Sequence, residues 1–218
     1  MRPPSRTIIL ASGSGSNFQA LLDDNRQTQA LEIVGLISDN PEAFALRRAA
    51  EANIPTRTVA FDKTQPRDHF DEALAKTVSA FAPELIILAG FMRIIAAPLV
   101  AAYEGRMLNI HPALLPRYKG LNTHQRCLDN RDSLHGTTVH FVTAALDDGP
   151  AVIQARLAVA PGETADGLSA RVQAMEYKIY PLAARWFAEG RLSMHDGHAI
   201  LDNQPLASPI IMTEEDLE

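Results

Sequence analysis

Asn109-Ile-His111-Pro112 places an amide and an imidazole two positions apart at the end of an apolar run, Arg106 to Ile110. Side chains alternate along a strand, so Asn109 and His111 share one face. A carboxamide can donate to an oxygen that gains negative charge, and an imidazole exchanges protons near neutral pH. The pair suits carbonyl chemistry, although a hydrogen-bonded loop anchor would use the same residues. Leu146-Asp-Asp-Gly-Pro150 is a turn whose aspartates would ordinarily be solvated. A carboxylate beside an imidazole favours its charged form, but spacing alone does not bring this turn to His111. His140 alternates with Thr138 and Val142, and a supporting core histidine is the preferred reading over proton transfer. His111, His124, His135 and His140 show no tight ligand spacing, so no metal is expected.

A second constellation is Ser12-Gly-Ser-Gly-Ser-Asn17 between an apolar run and a helix start. Such a loop turns several backbone N–H groups toward one spot, and the helix dipole adds positive potential there. A phosphate is the natural guest. No Gly-Lys-Ser/Thr follows, and Phe18 stands where a dinucleotide fingerprint needs its third glycine. An ordinary strand-to-helix turn is equally open on the loop alone. Glu176 lies at the edge of the apolar stripe Leu168, Val172, Met175, Ile179, where it either reaches a crevice or is solvated.

These residues need a frame. Thr7–Ala11, Glu32–Ser38, Thr56–Val59, Glu84–Ala89 and Arg106–Ile110 read as strands alternating with helices at 18–24, 43–52, 66–81 and 98–103. Ser16 or Asn17 is the expected cap of the first helix. The rhythm predicts an α/β fold: a doubly wound, mostly parallel sheet with helices on both faces. Beyond the Pro112–Pro116 loop, Gly136–Val142 and Ala151–Val159 read as two strands, and Asp166–Glu189 as a long helix kinked at Pro181 with Gly190 near its C-cap. Arg191–Leu201 reads as a hairpin around Asp196-Gly197. A single domain over residues 1–203 and a mobile acidic tail over 204–218 are expected.

Twenty basic against twenty-six acidic residues, a formal net charge of −6, argue against nucleic acid as the partner. The one cysteine, Cys127, excludes an internal disulfide and fits a reducing compartment. The apolar run after Arg6 is too short for a signal core or a membrane span. Cytoplasmic location and no membrane partner are the expectations.

The segments Ser12-Gly-Ser-Gly-Ser-Asn-Phe-Gln19, Ala89-Gly-Phe-Met-Arg-Ile94-Ile95, Leu108-Asn-Ile-His-Pro-Ala-Leu-Leu-Pro116, His135-Gly-Thr-Thr-Val-His-Phe-Val142, Leu146-Asp-Asp-Gly-Pro150 and Val172-Gln-Ala-Met-Glu-Tyr-Lys-Ile-Tyr-Pro181 occur in this order. Together they resemble the folate-dependent phosphoribosylglycinamide (glycinamide ribonucleotide) formyltransferase family over about residues 7–200. The resemblance implies a formyltransferase-like fold and a role in purine biosynthesis. The amine of glycinamide ribonucleotide would accept the formyl group of 10-formyltetrahydrofolate. It further implies that Asn109, His111 and Asp147 are catalytic. Gly15, Ser16, Asn17 and Glu176 would hold the phosphorylated substrate. Arg67, Met92, Arg93, Ile94, Ile95, Asn109, Thr143, Ala144, Ala145, Leu146 and Asp147 would line the folate site. A homodimer is compatible with the sequence.

This chain departs from the family pattern twice. Asp148 stands where relatives often carry a small residue, and Asp147 is chosen over it because it directly follows Leu146. Asn122 takes a place where some members have His and receives no role. Methionyl-tRNA formyltransferase and formyltetrahydrofolate hydrolase could share the Asn-x-His-Pro strand end. The first should carry a further nucleic-acid-binding region and the second an N-terminal regulatory domain, and 218 residues leave room for neither. A non-catalytic folate- or nucleotide-binding protein on the same fold is the alternative of a different class.

Overall fold

The apolar run after Arg6 forms strand β1, Ser5–Leu10, in which Ile8, Ile9 and Leu10 are wholly buried. Burial of consecutive residues, rather than every second one, is what a central strand covered on both faces requires. The structure is a computed structural model and describes residues 2–217. Met1 and Glu218, the outer ends of the expected domain and tail, lie outside the described residues. The chain divides into two compact units, residues 1–108 and 109–218.

In the first unit β1 is followed by β2 (Leu31–Ser38), β3 (Thr56–Thr58) and β4 (Leu85–Leu88). They lie in the order β4-β1-β2-β3, all parallel. Helices α1 (Ser16–Thr28), α2 (Phe44–Glu51) and α3 (Arg67–Ala80) connect them, and α4 (Ala97–Ala102) follows β4. The chain steps outward from β1 to β3 and then returns to the other side of β1. Right-handed crossovers in opposite directions place their helices on opposite faces, so the sheet is doubly wound as expected. Phe18 and Leu21 of α1, and Phe70, Leu74 and Val78 of α3, are buried at the three- and four-residue spacing of one helix face. Each contributes about 1.5–3 kcal/mol by leaving water.

The first helix is capped differently from the expectation. Its N-cap is Gly15 in the left-handed region, a residue with no side chain to serve as a cap. A Cβ at Gly15 would stand 2.7 Å from Ala45 Cβ and 2.8 Å from its Cα. Both the backbone conformation and the close approach of α2 therefore demand glycine here.

The second unit begins within β5 (Met107–His111) and continues with α5 (Thr123–Asp129), β6 (Leu134–Phe141), β7 (Ala151–Ala158) and α6 (Ala165–Ala188). Strands β5, β6, β7 and a later strand β11 (Ile210–Thr213) are neighbours in that order. The sequence reading assigns no helix to 123–129. It was hidden because seven residues between a Pro-rich loop and a polar turn carry too short a periodicity. Helix α6 is opened by Thr164, whose hydroxyl accepts from Gly167 N at 3.2 Å. It buries Leu168, Val172, Met175 and Ile179 as expected, and it runs on through Pro181 to Ala188. β8 (Leu192–His195) and β9 (His198–Leu201) form the anticipated hairpin; Asp196 and Gly197 at its turn both have positive φ.

Beyond residue 204 the chain carries β10 (Gln204–Pro205), β11 and a short 3-10 turn, Glu215–Leu217. β11 pairs in parallel with β7 from Ile210–Ile153 to Thr213–Arg156. Arg171 of α6 holds the segment by donating to both carboxylate oxygens of Glu214 at 3.0 and 2.8 Å. Ile210-Ile-Met-Thr213 is β-favouring, but its acidic flank masks this in sequence. Among the described residues no helix is long and apolar enough to cross a membrane.

Candidate active site

Strand alternation carries Asn109 and His111 to the end of β5. The loop after them is held by its neighbours. Thr137 Oγ1 donates to His111 O at 2.9 Å. Thr138 Oγ1 donates to Ala113 O at 2.6 Å and accepts from Leu115 N at 3.1 Å. Gln154 Nε2 donates to Leu115 O at 2.8 Å. Side chains of β6 and β7 thus replace the regular ladder that Pro112 and Pro116 cannot supply.

Asp147 joins this cluster. Its Oδ2 lies 3.3 Å from His111 Nδ1, with both side chains under a tenth exposed. The same oxygen accepts from Gly120 N at 2.9 Å, and Asp147 adopts a left-handed φ of 48°. The turn can fold back so sharply because of Gly149: a Cβ there would strike Phe141 O at 1.8 Å. Asn109 joins through His140, which the sequence reading confined to support. Asn109 Nδ2 is 3.1 Å from His140 Nε2, and that nitrogen is 3.8 Å from Asp147 Oδ1. An amide, two imidazoles and a carboxylate form one connected group.

The other nitrogen of His111, Nε2, meets Tyr118 O at 2.8 Å. A carbonyl only accepts, so Nε2 carries hydrogen. Nδ1 faces a carboxylate, so a proton on each nitrogen satisfies both neighbours. Tyr118, Lys119 and Gly120 were invisible to sequence reasoning as site elements. Lys119 Nζ pairs with Asp148 at 2.5 Å, with the two side chains 37% and 53% exposed. This separates the two aspartates: Asp147 turns inward to the imidazoles and Asp148 outward to a surface lysine. Glu176 is buried on α6, with its Oε1 3.3 Å from Thr137 Oγ1. The expectation of a stripe-edge position is met, on the buried side.

Nearby, His124 Nδ1 and His135 Nε2 lie 3.0 Å apart. Burial holds the His124 imidazole below its ordinary value. Burial, then the proximity of His124, push His135 down to about 4. Among the described residues no group of three or more His, Cys, Asp or Glu is arranged to hold a metal ion.

In the first unit, the strand order reverses between β1 and β4, and open α/β sheets bind ligands at such a point. The Ser12–Gly15 loop and Gly90–Met92 emerge there. Ser12 N donates to Gly90 O at 3.1 Å, and Met92 N donates to Ser12 Oγ at 2.8 Å. The carbonyls of Ser12, Gly13 and Ser14 accept from Asn40 Nδ2 at 3.3 Å, Ala45 N at 3.0 Å and Arg48 Nε at 2.9 Å. In a trans peptide the following N–H points opposite to the carbonyl. The N–H of Gly13 is therefore turned away from Asn40, and those of Ser14 and Gly15 away from α2, as an anion cradle needs.

The expected folate residues of this unit fall into two kinds. Met92 and Ile94 are exposed, at 64% and 59%, an unusual display of apolar surface. Ile95 is buried, and Arg93 Nε is committed to Asp39 Oδ2 at 2.6 Å while stacking over Phe61. Arg67 bonds Ile94 O and pairs with Asp71 at 2.8 Å. In the second unit, Leu146 is 53% exposed, and Thr143 Oγ1 donates to Ala145 O at 3.4 Å within the same turn.

A doubly wound sheet with an inward imidazole–carboxylate pair and an adjoining amide defines an α/β enzyme equipped for carbonyl-group transfer. Residues 5–184 match the formyl transferase family model, so the chain belongs to the formyl transferase family. It is 46% identical over 200 residues to phosphoribosylglycinamide formyltransferase of Escherichia coli strain K12, covering 91% of this chain and 94% of that one. The Haemophilus influenzae protein of the same name is 39% identical over 202 residues, 92% of this chain and 95% of its own. The solved phosphoribosylglycinamide formyltransferase of Coxiella burnetii superposes with a TM-score of 0.91 at 44% identity, covering 96% of this chain and 99% of that one.

Proposed function

We infer that this chain transfers the formyl group of 10-formyltetrahydrofolate to the amine of glycinamide ribonucleotide, a step of purine biosynthesis. The family match and the phosphoribosylglycinamide formyltransferases among its relatives support the reaction. The single observation that carries the site reading is the 3.3 Å contact between His111 Nδ1 and Asp147 Oδ2. The substrate amine attacks the formyl carbon. An N–H of Asn109 and the Nε2–H of His111 stabilise the oxyanion, once Nε2 leaves the Tyr118 carbonyl. Asp147 orients the ring and favours its charged form. A proton then passes from the attacking nitrogen to the departing folate nitrogen, and no metal takes part.

In this reading Gly15, Ser16 and Asn17 receive the substrate phosphate, and Glu176 helps to hold that substrate. Met92 and Ile94 offer apolar contact to the folate, with Arg67 near its glutamate tail. Arg93, Ile95 and the Thr143-Ala144-Ala145-Leu146-Asp147 turn complete the folate surface. The enzyme works in the cytoplasm without nucleic acid or membrane partners, and sedimentation tests whether it forms a homodimer. The test of function is turnover with both substrates, followed by folate absorbance. The wild type turns over, and His111→Ala lowers kcat by at least about a hundredfold with substrate binding nearly unchanged. Near-wild-type turnover in that variant removes His111 from the mechanism.

A further inference from the structure

The oxyanion role given to Asn109 depends on which end of its carboxamide faces the reaction. Rotation by half a turn about χ2 exchanges an N–H donor for an oxygen that would repel the oxyanion. Something must choose, and the contact with His140 can do so only if the protonation of that ring is itself settled.

Two contacts settle it. His140 Nδ1 is 2.8 Å from Phe141 O. The carbonyl can only accept, so the ring hydrogen lies on Nδ1. His140 is 2% exposed, and burial holds its imidazole below the ordinary histidine value, against smaller opposing effects of the Phe141 carbonyl and Asp147. The ring is therefore neutral, and Nε2 is a bare acceptor. Its partner at 3.1 Å must be a donor, which is the NH2 end of Asn109. Asp147 Oδ1 lies 3.8 Å from the same nitrogen, too far for a hydrogen bond.

We propose that His140 is a positioning residue for formyl transfer: with its hydrogen on Nδ1, it takes one N–H of Asn109 on Nε2 and so aims the second N–H at the developing oxyanion. This rests on the Asn109 role given above. His140 itself transfers no proton, because its only hydrogen is committed to a backbone carbonyl. Its value lies in the orientation of a neighbour, and a preset orientation is what distinguishes an oxyanion donor from a freely turning amide.

Nitrogen NMR of the wild-type protein labelled with 15N-histidine, near pH 7.5, reads the tautomer directly. A proton on Nδ1 of His140 and none on Nε2 is expected; a proton on Nε2 overturns the proposal. In kinetics, His140→Leu lowers kcat by about tenfold to a hundredfold, less than or equal to the loss from Asn109→Ala, with both KM values within about twofold. His140→Gln offers an amide oxygen as acceptor and recovers most of the rate. The double variant Asn109→Ala/His140→Leu turns over no more slowly than Asn109→Ala, because nothing remains to be positioned. A slow Asn109→Ala enzyme that His140→Leu slows again in full proportion overturns the positioning role alone. An Asn109→Ala enzyme as fast as wild type overturns the oxyanion reading and this proposal with it. If the Leu variant does not fold, the Gln variant and the wild-type spectrum still decide: a Gln enzyme that is folded yet as slow as Asn109→Ala counts against the proposal.

Discussion

Replacing Asp147 by Asn isolates the charge at the centre of the proposed mechanism. Asn is of the same size and tolerates the left-handed φ of 48° found at this position. It keeps an oxygen for Gly120 N, now bonded at 2.9 Å. The oxygen that Gly120 N holds is also the one facing His111 Nδ1, so it can still accept from a protonated Nδ1, while Nε2–H stays on Tyr118 O. The variant is thus packed like the wild type but gives the imidazolium of the proposed mechanism no counter-charge. Two unit charges 3.3 Å apart attract by about 5 kcal/mol at an effective dielectric of about 20. Desolvation of this buried pair offsets part of that, so a net loss of about 3 kcal/mol in the transition state is a reasonable scale. That is roughly two orders of magnitude in kcat. Steady-state rates with both substrates should show kcat down about a hundredfold and KM changed less than about threefold. Asp148→Asn is the matched control: its pair with Lys119 is solvent-exposed and contributes at most about 1 kcal/mol, so turnover should stay within about twofold. A kcat within threefold of wild type in Asp147→Asn, or equal losses in the two variants, would refute the assignment of the inward carboxylate.

Two further predictions concern other parts of the molecule. Gly15→Ala forces a left-handed alanine against Ala45; it should destabilise the fold by about 2–4 kcal/mol in urea titrations and raise KM for the phosphorylated substrate at least about tenfold, while an unchanged KM would dissociate the loop from substrate binding. His135 titrates at about 4 in the folded protein against about 6.5 unfolded, so as pH falls below 6.5 the unfolded chain takes up the proton first. Stability attributable to this residue is unaffected above pH 6.5 and declines between 6.5 and 4, by about 3 kcal/mol in total. Urea midpoints at pH 7.5, 6 and 5 should therefore fall less steeply in His135→Gln, and parallel curves for the two proteins would contradict the argument.

The strands of the first unit were legible because buried parallel strands are continuous apolar runs, as in Ile8-Ile-Leu10 and Ile86-Ile-Leu88. The Asn109–His111 pair was legible for the related reason that strand alternation is strict. What sequence could not supply was meeting in space: nothing in Leu146-Asp-Asp-Gly-Pro150 tells which aspartate turns inward. That choice depends on Gly149 folding the turn against Phe141 O, and on Lys119 drawing Asp148 outward. The cap of α1 was misread because Ser and Asn are better caps than Gly in general, whereas here the approach of Ala45 decides. The tail strand β11 was missed because its partner, β7, is more than fifty residues away in sequence, and pairing at that separation leaves no local signal.

The two imidazoles of the candidate site illustrate how backbone carbonyls can set side-chain chemistry. Tyr118 O and Phe141 O each demand a hydrogen, from Nε2 of His111 and Nδ1 of His140 respectively. The remaining nitrogen then meets opposite partners: a carboxylate at His111 and a carboxamide NH2 at His140. A carboxylate rewards a second proton, whereas an N–H donor rewards a bare lone pair. Neighbouring rings of identical composition are thereby given different partners: the second nitrogen of His111 meets a carboxylate, and that of His140 the amide. The division follows from which atom each ring turns to the backbone. Any change that flips the His140 ring would therefore reorient Asn109 as well, coupling two groups that the proposed mechanism requires to be fixed together.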